Sequence, residues 1–199
     1  MAQASTAAVK QDIILAGVGG QGILSIAFVI DSAALEDGLY LKQAEVHGMA
    51  QRGGAVTSHL RLSRQPIFSD LVPKGRADLI LSVEPLEALR YIDYLAPQGR
   101  VITSSAPYVN IPDYPEMGTV LDGIKKIPGS IVIESEKLAK EAGSSRAQNI
   151  VMLGAASPFL MLKDTSLRRF VEVLFKPRGE NMVQVNLKAF ELGRKAASA

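Results

Sequence analysis

The segment Gly17-Val-Gly-Gly-Gln-Gly22 constrains this chain more than any other. It follows a short apolar run, residues 12–16, and precedes residues 23–35, where Ile23, Ile26, Ala27 and Ile30 recur at helical spacing. An apolar run closed by glycines reads as a buried strand entering a turn, and the spacing after it predicts a helix. Strand, glycine turn and helix in that order open a doubly wound α/β sheet. In such a unit Gly17 is expected to turn at positive φ, Gly19 to let a ligand approach the backbone, and Gly22 to bring the helix close to the strand. Gly20 adds freedom, and the Gln21 amide can bond a ligand or a neighbouring loop. The N–H groups at the helix start favour an anion such as a phosphate. The alternative is a tight turn that binds nothing, or one that holds a partner chain.

The pattern continues as alternating strands and helices. Residues 39–46 read as a second strand, with Gly38 as the stop of the preceding helix. Residues 55–62 alternate, with Val56, Ser58, Leu60 and Leu62 on one face and Thr57, His59 and Arg61 on a wetter one. Residues 78–83, 101–104 and 130–133 are further strands. Helices are expected over 84–95, 118–127 and 135–142. From residue 146 strand signals cease, and 147–162, 166–175 and 179–197 read as a helical segment, with Pro158 kinking or splitting the first helix. The expectation is one α/β domain over 11–199, a doubly wound, mainly parallel, Rossmann-like sheet (11–145) with a helical C-terminal segment (146–199), after a flexible N-terminus at 1–10.

Composition narrows the function. Of the 199 residues 47% are hydrophobic and 21% charged, so a packed core is expected. The formal net charge is +2 with no dense Lys/Arg stripe, which argues against nucleic acid as a partner. There is no cysteine, which removes disulfides and iron–sulfur ligation from this chain. The two histidines, His47 and His59, leave too few ligands for a metal site, and none is expected. No apolar run reaches membrane-spanning length, and the first ten residues lack the features of a signal peptide, so a cytoplasmic protein is expected.

The least generic stretch is Glu45-Val-His-Gly-Met-Ala-Gln-Arg-Gly-Gly54. It sets Glu45, His47, Gln51 and Arg52 beside Gly48, Gly53 and Gly54. The Arg52 fork suits a carboxylate or phosphate, and His47 is a candidate proton carrier. Two readings stand side by side: a ligand-contacting loop, or a structural loop in which Glu45 pairs with Arg52 and His47 caps a carbonyl. Glu45 also lies 23 residues after Gly22, near where a nicotinamide enzyme places its ribose-binding acid, roughly 20 residues on.

These two motifs together resemble the gamma-type domain of 2-oxoacid:ferredoxin oxidoreductases. Ala55-Val-Thr-Ser-His-Leu-Arg61, Asn149-Ile-Val-Met-Leu-Gly-Ala155 and Asn186-Leu-Lys-Ala-Phe-Glu-Leu-Gly193 are similar to that family too. The Glu-x-His-Gly-Met-x-Gln-Arg-Gly-Gly form, in a cysteine-free chain of this length, is most similar to the indolepyruvate branch. The resemblance implies an accessory subunit of an oxidoreductase that decarboxylates an aryl pyruvate such as indolepyruvate to an aryl-acetyl-CoA, with ferredoxin as acceptor. Thiamine diphosphate and the iron–sulfur clusters would then reside in a large alpha partner subunit. This chain would pack against the thiamine domains near the point where coenzyme A enters. The matching residues, and so the expected cofactor-binding positions, are Gly17, Gly19, Gly20, Gln21, Gly22, Glu45, Gln51, Arg52, Gly53 and Gly54, with His47 and Arg52 the candidates for chemistry.

Two rival readings remain. One is a free-standing NAD- or flavin-dependent oxidoreductase, resting on the glycine pattern and Glu45. The other is a purely structural partner subunit with an empty loop. A subunit also predicts exposed apolar surface for a partner or for self-association.

Overall fold

The computed structural model describes residues 9–47 and 53–198, and of His47 the backbone alone. Six strands form one sheet in the order β2-β3-β1-β4-β5-β6: β1 (Lys10–Val18), β2 (Tyr40–His47), β3 (Ala55–Ser63), β4 (Ala77–Ser82), β5 (Leu95–Ser104) and β6 (Ile131–Ile133). β4, β5 and β6 run parallel in sequence from β1, while β3 is antiparallel to both β1 and β2. One strand of the six therefore opposes the rest. Ile13, Ile14, Leu15 and Ala16 are fully buried in the middle of the sheet, which is why β1 is a continuous apolar run.

The helices are α1 (Ile23–Glu36), α2 (Pro85–Arg90), α3 (Met117–Lys125), α4 (Ser135–Ala142), α5 (Gln148–Ala156), α6 (Asp164–Phe175) and α7 (Glu180–Ala197). One face of the sheet (Ile13, Leu15, Leu79, Leu81, Ile102) packs under α1 and α4 to α7. The other (Ile14, Ile80, Val101) packs under α2 and α3. The mainly parallel, doubly wound α/β sheet expected from the sequence is the fold the chain adopts. α1 and α2 leave on opposite faces, so the sheet switches direction between β1 and β4, and a crevice opens at their carboxyl ends.

Three local readings change. The helix expected over 84–95 ends at Arg90, and a 3-10 turn at Ile92–Tyr94 leads into β5, which begins at Leu95 instead of residue 101. Residues 95–100 carry Pro97 and Gly99 and little apolar pattern. They become strand through pairing with β4, across a register shift between Ala77 and Leu79. The helix expected over 147–162 stops at Ala156, because Ser157–Phe159 winds as a 3-10 turn around Pro158. The face of β3 expected to be wet is covered: Thr57 and His59 are buried. The His59 ring meets Tyr94 edge-on at 5.3 Å, and its Nδ1 accepts from the Val72 N–H at 3.1 Å. Burial pushes its pKa down, which keeps the ring neutral and Nδ1 an acceptor.

α5 forms the centre of the helical layer, buried from Asn149 to Ala156, as a helix apolar all round must be. It crosses α7 at two glycines. A Cβ on Gly154 would lie 2.0 Å from the Phe190 carbonyl oxygen, and one on Gly193 1.9 Å from that of Val151. Backbone meets backbone there, so nothing flexible can yield. Gly193→Ala is expected to cost several kcal/mol, at the upper end of about 1–3 kcal/mol for overpacking or beyond it. The check is the urea midpoint or the soluble yield of the variant.

At the other end of β1, Asp12 is 1% exposed and its carboxylate accepts from Arg61 Nε at 2.8 Å and from Lys10 Nζ at 2.7 Å. Burial pushes its pKa up, but Arg61 and Lys10 outweigh burial and hold it below the ordinary value. A carboxylate lowered by folding adds stability above its unfolded pKa, near 3.9, and that stability is lost as pH falls through the folded value. Asp12→Asn should therefore lower the melting temperature at pH 7, by an amount that shrinks as pH falls below the unfolded carboxylate value and vanishes below the lower folded one. A denaturation series against pH reads this directly.

Candidate functional site

The glycine turn after β1 is built by two left-handed residues, Gly20 at φ 102° and Gly22 at φ 82°. Gly17 does not turn: it is the penultimate residue of β1, paired opposite Val56, and has no positive φ. It is glycine for a different reason. A Cβ there would sit 2.5 Å from Val83 Cγ2 and 2.7 Å from Ile23 Cδ1, so the residue lets β4 and α1 close on β1. Gln21 closes the turn on itself: its Oε1 accepts from the Val18 N–H at 2.8 Å, and its own N–H donates to the Val18 carbonyl at 3.0 Å.

The second glycine segment meets the first. The Gly19 N–H donates to the Gly54 carbonyl at 2.8 Å, and the Gly53 N–H donates to the Gly19 carbonyl at 3.1 Å. Gly53 stands at φ 77°. Asn110 Nδ2, from the loop after β5, donates to the Gly53 carbonyl at 2.7 Å. A Cβ on Gly22 would lie 2.5 Å from Asn149 Nδ2, and that amide donates to the Gly22 carbonyl at 3.3 Å. Three distant parts of the chain are thus tied to one turn, Asn110 through Gly53. α1 begins there with no side-chain cap and no acidic residue in its first turn. Among the described residues, the N–H groups of Gly20 and Gly22 have no acceptor. Among the described residues, then, nothing caps this helix start, the kind of place where an anion is favoured.

The turn has two sides. On one, a crevice of about 410 Å³ at the carboxyl ends of β1 and β4 is lined by Gly20, Gln21, Val83, Tyr108, Arg146 and Asn149, among others. Arg146 supplies a cation there, and Glu136 a carboxylate. On the other, a pocket of about 390 Å³ is mostly apolar, lined by Val18, Gly19, Gly20, Gly22, Leu24 and Val56, with Ile23. The wall of the crevice is set by Glu84, which is 1% exposed. Its carboxylate accepts from the Glu87 N–H at 2.8 Å, the Tyr108 N–H at 3.3 Å and the Tyr114 hydroxyl. Burial and the Glu84 charge push the Tyr114 pKa up, so the phenol stays a donor. Glu84 therefore positions the loop that carries Tyr108.

Of the positions singled out in the sequence, Gly17, Gly19, Gly20, Gln21, Gly22, Gly53 and Gly54 come together here. Glu45 does not. It lies exposed on β2, and β3 separates β2 from β1. The gap between β2 and β1 is two strand spacings, about 10 Å, too far for the ribose role of a dinucleotide fold. His47 ends β2, paired opposite Val56. Gly48, Gln51 and Arg52 lie outside the described residues. Tyr108, Arg146 and Glu84 escaped the sequence reading because no local motif marks them. Asn149 did carry a signal, as the first residue of a family-like segment.

The chain matches the pyruvate ferredoxin/flavodoxin oxidoreductase family over residues 12–196. It is 39% identical to the indolepyruvate oxidoreductase subunit IorB of Thermococcus kodakarensis, over 94% of this chain and 96% of that one. Its fold is similar to 2-oxoglutarate:ferredoxin oxidoreductase from Magnetococcus marinus, solved with 2-oxoglutarate, coenzyme A and succinyl-CoA bound. There the TM-score is 0.76 and the identity 23%, over 96% of this chain and 31% of that one. It is also similar to a keto/oxoacid ferredoxin oxidoreductase gamma subunit from Geobacter sulfurreducens, with a TM-score of 0.68 and 24% identity over 94% and 98% of the two chains.

Gly22 combines a left-handed backbone with a close neighbour, so Gly22→Ala should destabilise the chain by about 1–3 kcal/mol from the backbone alone. Pairing it with Asn149→Ala removes the clash but not the φ penalty. Denaturant midpoints of the single and double variants should therefore differ, with the double variant recovering part of the loss.

Proposed function

The chain belongs to the pyruvate ferredoxin/flavodoxin oxidoreductase family, and from that premise we propose that it is the coenzyme-A-facing small subunit of an indolepyruvate:ferredoxin oxidoreductase. Such a subunit works beside a larger partner in the assembled enzyme. Thiamine diphosphate and iron–sulfur clusters in that partner supply the decarboxylation and the path of electrons to ferredoxin. The absence of cysteine here accords with that division. The work takes place in the cytoplasm; among the described residues no helix is long and apolar enough to cross a membrane.

The observation that carries the reading is the uncapped start of α1, held open by backbone bonds between the two glycine segments and flanked by Arg146. Coenzyme A is an anion at its phosphates and a nucleophile at its thiol. The N–H groups of Gly20 and Gly22 and the first turn of α1 receive phosphate oxygens, as helix starts do. Arg146 adds a charge-assisted contact from the far wall of the crevice. Arg52 immediately precedes Gly53, whose N–H is bonded to Gly19, and it serves as a second phosphate-binding guanidinium. The Tyr108 ring, 44% exposed, offers a flat surface for the adenine. Gln21 is spent on closing its own turn and acts by shaping the loop. Gly17 and Glu84 likewise position the site and touch no ligand. The chain thus binds and orients coenzyme A and leaves the bond-breaking chemistry to its neighbour.

The test is steady-state kinetics of the assembled complex. Arg146→Ala and Arg52→Ala should each raise the KM for coenzyme A about tenfold, the size expected on losing one charge-assisted hydrogen bond. The KM for the 2-oxoacid should stay at the wild-type value. If neither variant moves the coenzyme A KM, this role for the chain is wrong.

A further inference from the structure

α1 carries an apolar stripe that the fold leaves uncovered. Leu24, Phe28 and Leu35 are 57%, 43% and 65% exposed. With Asp31 they fall four, three and four residues apart, which places all of them on one line down the helix. Ile23, Ile26, Ile30 and Ala33 face the core. The flank carrying Glu36 meets α6, where Glu36 pairs with Arg169. Asp31, in the stripe, lies close enough to β2, the edge strand of the sheet, to feel the charge of Glu45.

Asp31 makes this stripe unusual. Its Oδ1 is closed off from solvent and has no hydrogen-bond partner among the described residues. On β2, Gln43 Nε2 is already divided between Ser58 Oγ at 3.2 Å and Glu45 Oε1 at 3.3 Å. Burial, and then the Glu45 charge, push the Asp31 carboxyl up to about 7. A shielded carboxylate oxygen without a donor is an unfavourable arrangement that a donor from outside would relieve. Scattered exposed apolar residues need no explanation. Three in register with a half-buried carboxyl, one oxygen of which is shielded and unbonded among the described residues, do. The stripe also continues upward: Leu24 lines the apolar pocket beside Gly19, Gly20 and Gly22.

We propose that the Leu24–Phe28–Asp31–Leu35 stripe of α1 is the seat of the large partner subunit, which inserts a Lys or Arg side chain, set among apolar ones, against Asp31 and Glu45. The choice of partner follows from charge. α1 holds no basic residue, so the α1 of a second copy, packed on this stripe, would offer no cation to Asp31. The proposal rests on the chain being a subunit of a larger enzyme, and not on its contact with coenzyme A. Failure of the kinetic test above would leave it standing.

Asp31→Leu has opposite expected effects on the two states. Alone, the variant chain should melt at a higher temperature at pH 8, because an unbonded carboxylate has been removed. In co-expression with the large subunit, its affinity for that subunit should fall at least tenfold. Phe28→Lys should abolish co-purification while leaving the melting temperature of the isolated chain near wild type. Val173→Lys, at an exposed apolar position on α6, should leave both co-purification and the melting temperature at wild-type values. A photo-crosslinker at position 28 should capture the large subunit. Wild-type affinity in Asp31→Leu, or a crosslink joining two copies of this chain, would overturn the proposal.

Discussion

The arrangement of this site depends on one strand running the wrong way. In a dinucleotide fold the second strand lies beside the first, and its terminal acid reaches the ligand at the glycine turn. Here β3 intervenes, antiparallel to both neighbours. Its first residues continue directly from Gly53 and Gly54, so the second glycine segment arrives alongside the first and the two exchange backbone hydrogen bonds at Gly19. Gly19 thereby spends its donor and acceptor on the protein. What stays open lies further along, at Gly20, Gly22 and the first turn of α1. The inserted strand leaves the N–H groups at Gly20 and Gly22, towards the start of the helix, unpartnered among the described residues, and moves Glu45 away from them.

Glycines in this chain answer to separate demands that the letters do not distinguish. Gly20 and Gly22 are needed for a left-handed backbone. Gly17 is needed for space between β4 and α1, and Gly154 and Gly193 for the crossing of α5 and α7. A Gly-x-Gly-x-x-Gly pattern suggested that its first member turns. Yet Gly17 remains paired within β1, and the turn falls three residues later. The motif located the element correctly and misassigned the duty of its residues, because φ is set by where pairing stops, which depends on β3.

Legibility followed the range of the interaction. Continuous apolar runs announced β1 and β4, since a strand buried on both faces must be apolar throughout. Helical periodicity announced α1, α6 and α7 for the same kind of reason. The alternation in 55–62 suggested a wet face that does not exist, because the cover over Thr57 and His59 comes from Tyr91, Tyr94 and the loop through Val72, distant in sequence. Half of the candidate site was visible as two glycine motifs. The other half, Tyr108, Arg146 and the Glu84 that places Tyr108, belongs to loops whose only common property is that parallel strands deliver them to one edge. No local pattern encodes that convergence.

Two features of α1 point the same way. Its first turn presents N–H groups without a cap, and its middle holds a carboxylate oxygen without a donor. Either alone is an ordinary imperfection in a marginally stable fold. Both occur on one helix, in a family whose members function as parts of larger enzymes. On the proposals made above, an anion would complete the upper site and a cation the lower one. If the two are filled by different molecules, a nucleotide and a protein, α1 becomes the element through which docking fixes the position of the bound cofactor. A helix is rigid over its 14 residues, so seating Phe28 and Asp31 on a partner also fixes where the Gly20–Gly22 turn points. On this argument the small subunit needs no catalytic group of its own, because its contribution is the distance and angle at which it holds a thiol over chemistry done elsewhere.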